Sequence, residues 1–391
     1  MTTREISDSA PRPGARPFPR ADLRGIPTYK PGRRPATGRR AYKLSSNESP
    51  YPPLPSVLDA IAQASDTIHR YPDLLSSDLV AAIAHRFGVP ESHVVVGCGS
   101  VGLATQIVQA FAGPGDEVAY AWRSFEAYPI IVQVAGAVSI QIPLRPDGVH
   151  DLPRLAASIT PKTRVVFICN PNNPTGTVVG ADALLRFLDA VPAGCLVVLD
   201  EAYREFVTNP DSPDGITLYR DRPNVVVLRT FSKAYGLAGL RVGYAIAQPE
   251  IVDSIRITDV PFSTNALGQA AALASLQPAA EAELMARVQA TVSERERIVA
   301  ALRAAGWDIP QPEGNFVWLP TGDRTESFAA ACEAAGVIVR PFAGEGVRVT
   351  IGEPEANNLF LDVARAHGPA PTAPTAHGAA QPSPSGPDEP A

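Results

Sequence analysis

The sequence predicts an α/β architecture: a mostly parallel central sheet with helices on both faces, and a smaller α+β domain. Three observations carry that expectation. Short, continuous runs of Val, Ile and Leu recur between residues 93 and 247, and such runs suit strands buried on both faces. Segments with apolar residues at helical spacing separate them, for example "SVGLATQIVQAFAG" and "GADALLRFLDAV". After residue 265 the pattern changes to long helices followed by short strands.

Taken in order, residues 1–22 and the tail 368–391 are rich in proline and poor in apolar side chains. They cannot bury enough surface to order themselves, so both ends are expected to be disordered. A polyproline docking ligand is the other reading of the tail. Residues 23–54 are expected to join the smaller domain, and 55–265 to form the large one. Its strands are "HVVVG" at 93, "DEVAYA" at 116, "TRVVFICN" at 163, "GCLVVLDEAY" at 194, "NVVVLRTF" at 224 and "RVGYAIA" at 241. Residues 266–367 form the smaller domain, with the helix "EAELMARVQATVSERERIVAALRAAG" and the strands "NFVWLP", "GVIVRPF" and "GVRVTIG".

Length and charge narrow the function. The 391 residues are enough for about two to three domains. A net charge of −6 argues against a nucleic-acid partner, which a basic stripe would announce. Cys98, Cys169, Cys195 and Cys332 are scattered, with no CxxC pair, which suits a reducing compartment better than disulfides or a metal site. No apolar run approaches the ~18 residues needed to span a bilayer. The first residues lack an apolar signal region, so the expected location is the cytoplasm.

Four stretches could carry chemistry. Gly97, Gly99 and Gly102 follow one strand and open a helix, as in a dinucleotide fingerprint. The acid that would hold a ribose is missing, since the next strand ends in Trp122 and Arg123. What remains is a helix N-terminus suited to a phosphate. "CNPNNPTGTVV" makes a constrained loop after a strand, where ligands gather in open α/β sheets. Asp200 ends an otherwise apolar strand, placed either at its wet tip or opposite a buried cation. The fourth stretch is "RTFSKAYGLAGLR". Only four lysines occur, Lys30, Lys43, Lys162 and Lys233, and Lys233 alone lies between a strand and a glycine-rich segment. A partly desolvated lysine can form a Schiff base with an aldehyde, and Ser232 and Arg241 beside it suit a phosphate. A nicotinamide-dependent oxidoreductase would use the glycine turn but leaves Lys233 unexplained.

Together "GCGSV", "WRSFEAYP", "CNPNNPTGTVVG", "DEAY", "TFSKAYGLAGLR", "NFVWLP" and "GVRVTIG" resemble the type I pyridoxal-phosphate (PLP) aminotransferases over residues 23 to about 366. Within them the chain is similar to the histidinol-phosphate aminotransferase subfamily, and most to its bacterial aromatic-amino-acid branch. The resemblance implies the PLP-dependent transferase fold of type I. It implies that Lys233 bonds PLP as a Schiff base and serves as the general base, with Asp200 pairing the ring nitrogen. Asn173 and Tyr203 would meet the ring's phenolic oxygen. The amides of Ser100 and Val101, with Ser232 and Arg241, would hold the phosphate, and Phe125 would stack on the ring. Phe125 stands where histidinol-phosphate enzymes usually carry Tyr, which favours the aromatic branch. Arg348 would clamp the substrate carboxylate, with Asn173 and Tyr29 also at the substrate. Tyr71 would reach the neighbouring subunit's site, implying a homodimer.

The implied reaction is ping-pong transfer of an amino group from Phe, Tyr or Trp to 2-oxoglutarate. Trp122, Phe125, Tyr128, Tyr29 and Phe262 are candidates for an aromatic-lined pocket. Histidinol phosphate is the nearest alternative donor. A PLP decarboxylase acting on a phosphorylated amino acid is a further reading, as is a PLP-binding regulator, although the tails offer no DNA-binding domain.

Overall fold

The computed structural model describes residues 41–369, with residues 23, 26 and 28 before them. Tyr29, the arm 1–22 and all but the first two residues of the tail lie outside the described residues. The chain begins with a short strand, β1 (Tyr42–Lys43), which leads into the large body. There β2 (Val94–Cys98), β3 (Glu117–Trp122), β4 (Val138–Pro143), β5 (Thr163–Cys169), β6 (Leu196–Asp200), β7 (Val225–Thr230) and β8 (Val242–Ile246) form one sheet. Its order is β2-β8-β7-β6-β5-β3-β4. Strands β3 to β7 pair in parallel, and β8 runs antiparallel to both β7 and β2.

Both faces of this sheet are covered, which is why its strands read as unbroken apolar runs. Along β6, Val197 and Leu199 point into one core while Val198 points into the other. Each fully buried side chain of this kind contributes about 1.5–3 kcal/mol. Helices Gly99–Phe111, Ala127–Val134 and Pro249–Ile257 cover one face. Helices Ser77–Phe87, Ala181–Ala190 and Ala266–Ser275 are among those on the other. The expected strands are all present. The sequence reading missed β4, an edge strand that pairs only with β3 and leaves Val138 half exposed. With one side open to water, its "VSIQIP" alternates and lacks the continuous apolar run.

The smaller body holds β9 (Phe316–Leu319), β10 (Val337–Ile338), β11 (Arg340–Phe342) and β12 (Gly346–Thr350). Strands β11, β12 and β9 form an antiparallel sheet, while β10 pairs in parallel with β1. Leu44, Ile298, Leu302, Trp307, Phe328 and Phe360 fill its core. The change of core falls inside the helix Pro278–Ala304 rather than at residue 265. Leu284, Val288 and Val292 pack into the large body, and Ile298, Val299 and Leu302 into the small one. Helical periodicity says which face is buried but not against what, so this seam leaves no mark in the sequence. Arg295 sits at the seam, fully buried, donating to the Phe206 carbonyl at 2.9 Å and the Gly314 carbonyl at 3.2 Å. The carboxylate of Glu313 lies 3.7 Å away.

Candidate active site

Five chain segments meet at one edge of the large sheet. Strands β2, β5, β6 and β7 end there, and the reversed β8 begins there. Open α/β sheets gather ligands at this edge, because the strands stop while the loops between them stay free to carry side chains.

Strand β7 delivers the lysine. Past Thr230 the backbone turns: the Ser232 amide donates to Thr230 Oγ1 at 3.1 Å and the Gly236 amide to the Lys233 carbonyl at 3.1 Å. Lys233 Nζ then reaches the Ser46 carbonyl at 3.1 Å. Its pKa is pulled down to about 7, first by loss of water and then by the positive charge of Arg348. An amine in that range is partly neutral at physiological pH and can act as nucleophile or base.

Strand β6 delivers Asp200, buried beside Cys169 of β5. Tyr128, also buried, donates its hydroxyl to Asp200 Oδ2 at 2.7 Å. Asp200 Oδ1 has no hydrogen-bond partner among the described residues. Burial raises the carboxyl to about pH 6, and the Tyr128 hydrogen bond only partly offsets this. A buried carboxylate oxygen without a donor is costly, so the site asks for one.

The third feature is an anion cradle. Gly99 opens the helix Gly99–Phe111 with φ at +72°, and a side chain there would collide with the Arg241 guanidinium. Arg241 itself adopts φ +59° and donates to the Ala238 carbonyl at 3.0 Å, with Ser232 Oγ at 3.4 Å. Behind them, a Cβ on Gly243 of β8 would strike the backbone of Gly99 and Ser100. Helix N-terminal amides, a guanidinium and a hydroxyl thus converge, which suits a phosphate.

The loop after β5 is held by its own asparagines. Asn172 accepts from Ser124 Oγ at 2.8 Å and contacts His150 Nε2 at 3.1 Å, while donating to Thr175 Oγ1 at 2.8 Å. That scaffold leaves Asn173 facing the cavity, where its Oδ1 accepts from Arg348 Nη1 at 2.6 Å. Arg348 of β12 also donates to the Ser45 carbonyl at 2.7 Å. Asn47 donates to the Tyr203 hydroxyl at 2.9 Å.

The expected residues are therefore together. Lys233, Asp200, Asn173, Tyr203 and Arg348 line one cavity of about 640 Å³. Ser100, Val101, Phe125, Ser232 and Arg241 line it as well. Tyr71 does not: it is 81% exposed and stacks on Phe262 with ring centroids 4.5 Å apart. Of the expected aromatic wall, among the described residues only Phe125 faces the cavity, joined by Ile130 and Ile131. Tyr128 belongs behind Asp200, Phe262 pairs with Tyr71, and Trp122 packs against the core beside Tyr120. Sequence reasoning missed the run Ser45–Asn47, its two outer residues buried, which supplies two carbonyls and an amide, and the cavity-lining Arg340. A helix-spaced tyrosine three positions after Phe125 carried no hint that its hydroxyl points to a strand end.

A family model described as aminotransferase class I and II matches residues 40–363. The chain belongs to the class I and II aminotransferases. An aromatic amino acid aminotransferase of Streptomyces avermitilis is 62% identical over 345 residues, covering 88% of this chain and 96% of the relative. One from Thermobifida fusca is 61% identical over 353 residues, covering 90% and 97%. Among solved structures, histidinol-phosphate aminotransferase from Sinorhizobium meliloti in complex with pyridoxal-5'-phosphate matches with a TM-score of 0.77 and 30% identity. That match covers 85% of this chain and 93% of the other.

This aminotransferase is PLP-dependent, as its family is. Its own residues fit that cofactor. The donor-hungry Oδ1 of Asp200 matches a protonated ring nitrogen, the Gly99 cradle a phosphate, and the low-pKa amine of Lys233 an aldehyde.

Proposed function

We propose that this chain transfers the amino group of aromatic L-amino acids to 2-oxoglutarate, yielding aromatic 2-oxo acids and L-glutamate. One observation carries the chemistry: the amine of Lys233 shares a single cavity with the orphaned carboxylate oxygen of Asp200 and with Arg348. When bound, PLP supplies an electron sink for the charge left as a proton leaves the substrate's Cα. Asp200 keeps the ring nitrogen charged. Ser100, Val101, Ser232 and Arg241 fix the phosphate, and Asn173 and Tyr203 stand by the phenolic oxygen. Arg348 grips the substrate carboxylate, since a planar guanidinium matches it bidentately. Lys233, with its amine neutral, would take the Cα proton as general base and hold it for return as general acid.

Substrate choice rests on the relatives above 60% identity, named for aromatic amino acids. The apolar wall of Phe125, Ile130 and Ile131 supports the same choice. Histidinol phosphate is the second reading, favoured by the structural likeness to the Sinorhizobium meliloti enzyme. The enzyme works as a homodimer in which Tyr71 reaches the neighbouring site, in keeping with its exposed ring. Four unpaired cysteines suit the cytoplasm, and no helix of the described residues is long and apolar enough to cross a membrane. Lys233→Ala is expected to lose the visible absorbance of bound PLP together with turnover; full activity would refute the role. A donor panel with 2-oxoglutarate decides the substrate: phenylalanine is expected to outpace histidinol phosphate.

A further inference from the structure

Three consecutive residues each hold one side chain of the site. The Ser45 carbonyl accepts from Arg348 Nη2 at 2.7 Å, and the Ser46 carbonyl from Lys233 Nζ at 3.1 Å. Asn47 Nδ2 donates to the Tyr203 hydroxyl at 2.9 Å. The first two contacts use the backbone, which any residue supplies. The third needs a particular side chain.

Asn47 is 1% exposed and adopts φ +54°, a left-handed conformation that Asn and Asp tolerate better than most side chains. Its amide is held one way round. The Thr350 hydroxyl accepts from the Asn47 backbone amide at 2.9 Å and donates to Asn47 Oδ1 at 3.0 Å, which leaves Nδ2 for Tyr203. Asn315 Nδ2 holds the Asn47 carbonyl at 3.2 Å, so the backbone is fixed as well. An amide nitrogen can only donate. The Tyr203 oxygen must therefore accept, and its own hydrogen is left for an acceptor in the cavity that Tyr203 lines. Burial raises the pKa of this phenol, which keeps that hydrogen in place at neutral pH. Asn47 is not itself part of the cavity lining.

Resting on the reading above that stands Tyr203 by the phenolic oxygen of PLP, we propose that Asn47 is a positioning residue that commits the Tyr203 hydroxyl to donate to that oxygen. An acceptor in the place of Nδ2 would take the Tyr203 hydrogen for itself. A hydrogen bond given to an oxygen favours its anion, so the pH at which bound PLP changes its visible absorbance is held down. Asn47 thereby tunes a group that only its neighbour meets.

The test is a pH titration of the visible absorbance of the full-length holoenzyme. Asn47→Asp keeps the size, the left-handed backbone and the Thr350 contact, but turns an acceptor toward Tyr203. It is expected to raise the absorbance midpoint by about one pH unit, in the same direction as Tyr203→Phe. Added to Tyr203→Phe, the same substitution is expected to move the midpoint by less than about 0.3 unit further. Asn47→Gly, which also suits a left-handed backbone, removes the amide without adding charge and is expected to shift the midpoint upward too. Asn47 variants that leave the midpoint unmoved overturn the inference. So does an equal Asn47→Asp shift with and without the Tyr203 hydroxyl, since the new carboxylate would then act by its charge alone. A midpoint unmoved by Tyr203→Phe itself overturns the placing of Tyr203 and the inference with it.

Discussion

Lys233 and Asp200 are perturbed in opposite senses, and their consequences differ in sign. In the cofactor-free chain Lys233 titrates near pH 7 instead of 10.5, so the unfolded state binds the extra proton between those values. Its penalty is fully present below pH 7 and fades as pH rises toward 10.5. Lys233→Met is therefore expected to stabilise the apoprotein more at pH 7 than near pH 10, read by thermal melts, while lowering turnover at least about a thousandfold. Asp200 has its pKa raised from 3.8 to about 6. Its contribution is favourable below pH 3.8 and is lost as pH rises through 6. At pH 8, Asp200→Asn is expected to stabilise the cofactor-free chain by up to about 3 kcal/mol and to weaken PLP binding. Tyr128→Phe is expected to weaken PLP binding about tenfold in an absorbance titration, because Asp200 loses its one side-chain donor. The residues legible in the sequence were those at strand ends, where an isolated polar group contrasts with an apolar run. Tyr128 and Asn47 were not, because a buried hydroxyl or amide is defined by a partner distant in the chain.

Helix Gly99–Phe111 is held in place by the absence of a side chain on β8. At Gly243 an added methyl would meet the backbone of Gly99 and Ser100, pushing the helix N-terminus off the strand. Gly243→Ala is thus expected to weaken PLP binding more than tenfold, on the order of 1.4 kcal/mol or more, without removing any residue of the cradle. Equilibrium dialysis of the variant against PLP checks this, and unchanged affinity would mean the amides do not bear on the phosphate. Gly99, with Gly97 and Gly102, also explains why the sequence was ambiguous: a tight turn into a helix serves dinucleotides and PLP alike. The missing ribose acid at Trp122 and Arg123 was what separated the two. The strands of the interior were legible from their double burial, and β4 at the edge was not.

At the scale of the whole molecule, most of the exposed large apolar side chains among the described residues fall on two segments. Ile68, Leu74 and Leu75 are exposed around Tyr71, as are Ile257 and Val260 near Phe262, with Ile257 84% exposed. Tyr71 and Phe262 stack on each other, which links these segments into one patch. Such a patch marks an interface. The protein is expected to sediment as a dimer, and Val260→Asp to shift it toward monomer with weaker PLP binding. A dimer undisturbed by that charge would place the contact elsewhere. The sequence changes pattern after residue 265, while the passage from one core to the other lies further along, within Pro278–Ala304. That placement limits how the protein can breathe. Since Arg295 is gripped by carbonyls from segments on either side of the seam, swinging one body away would break those hydrogen bonds together. Any opening of the cavity that keeps this grip intact has to come from short pieces such as residues 45–47 and from individual side chains at the rim.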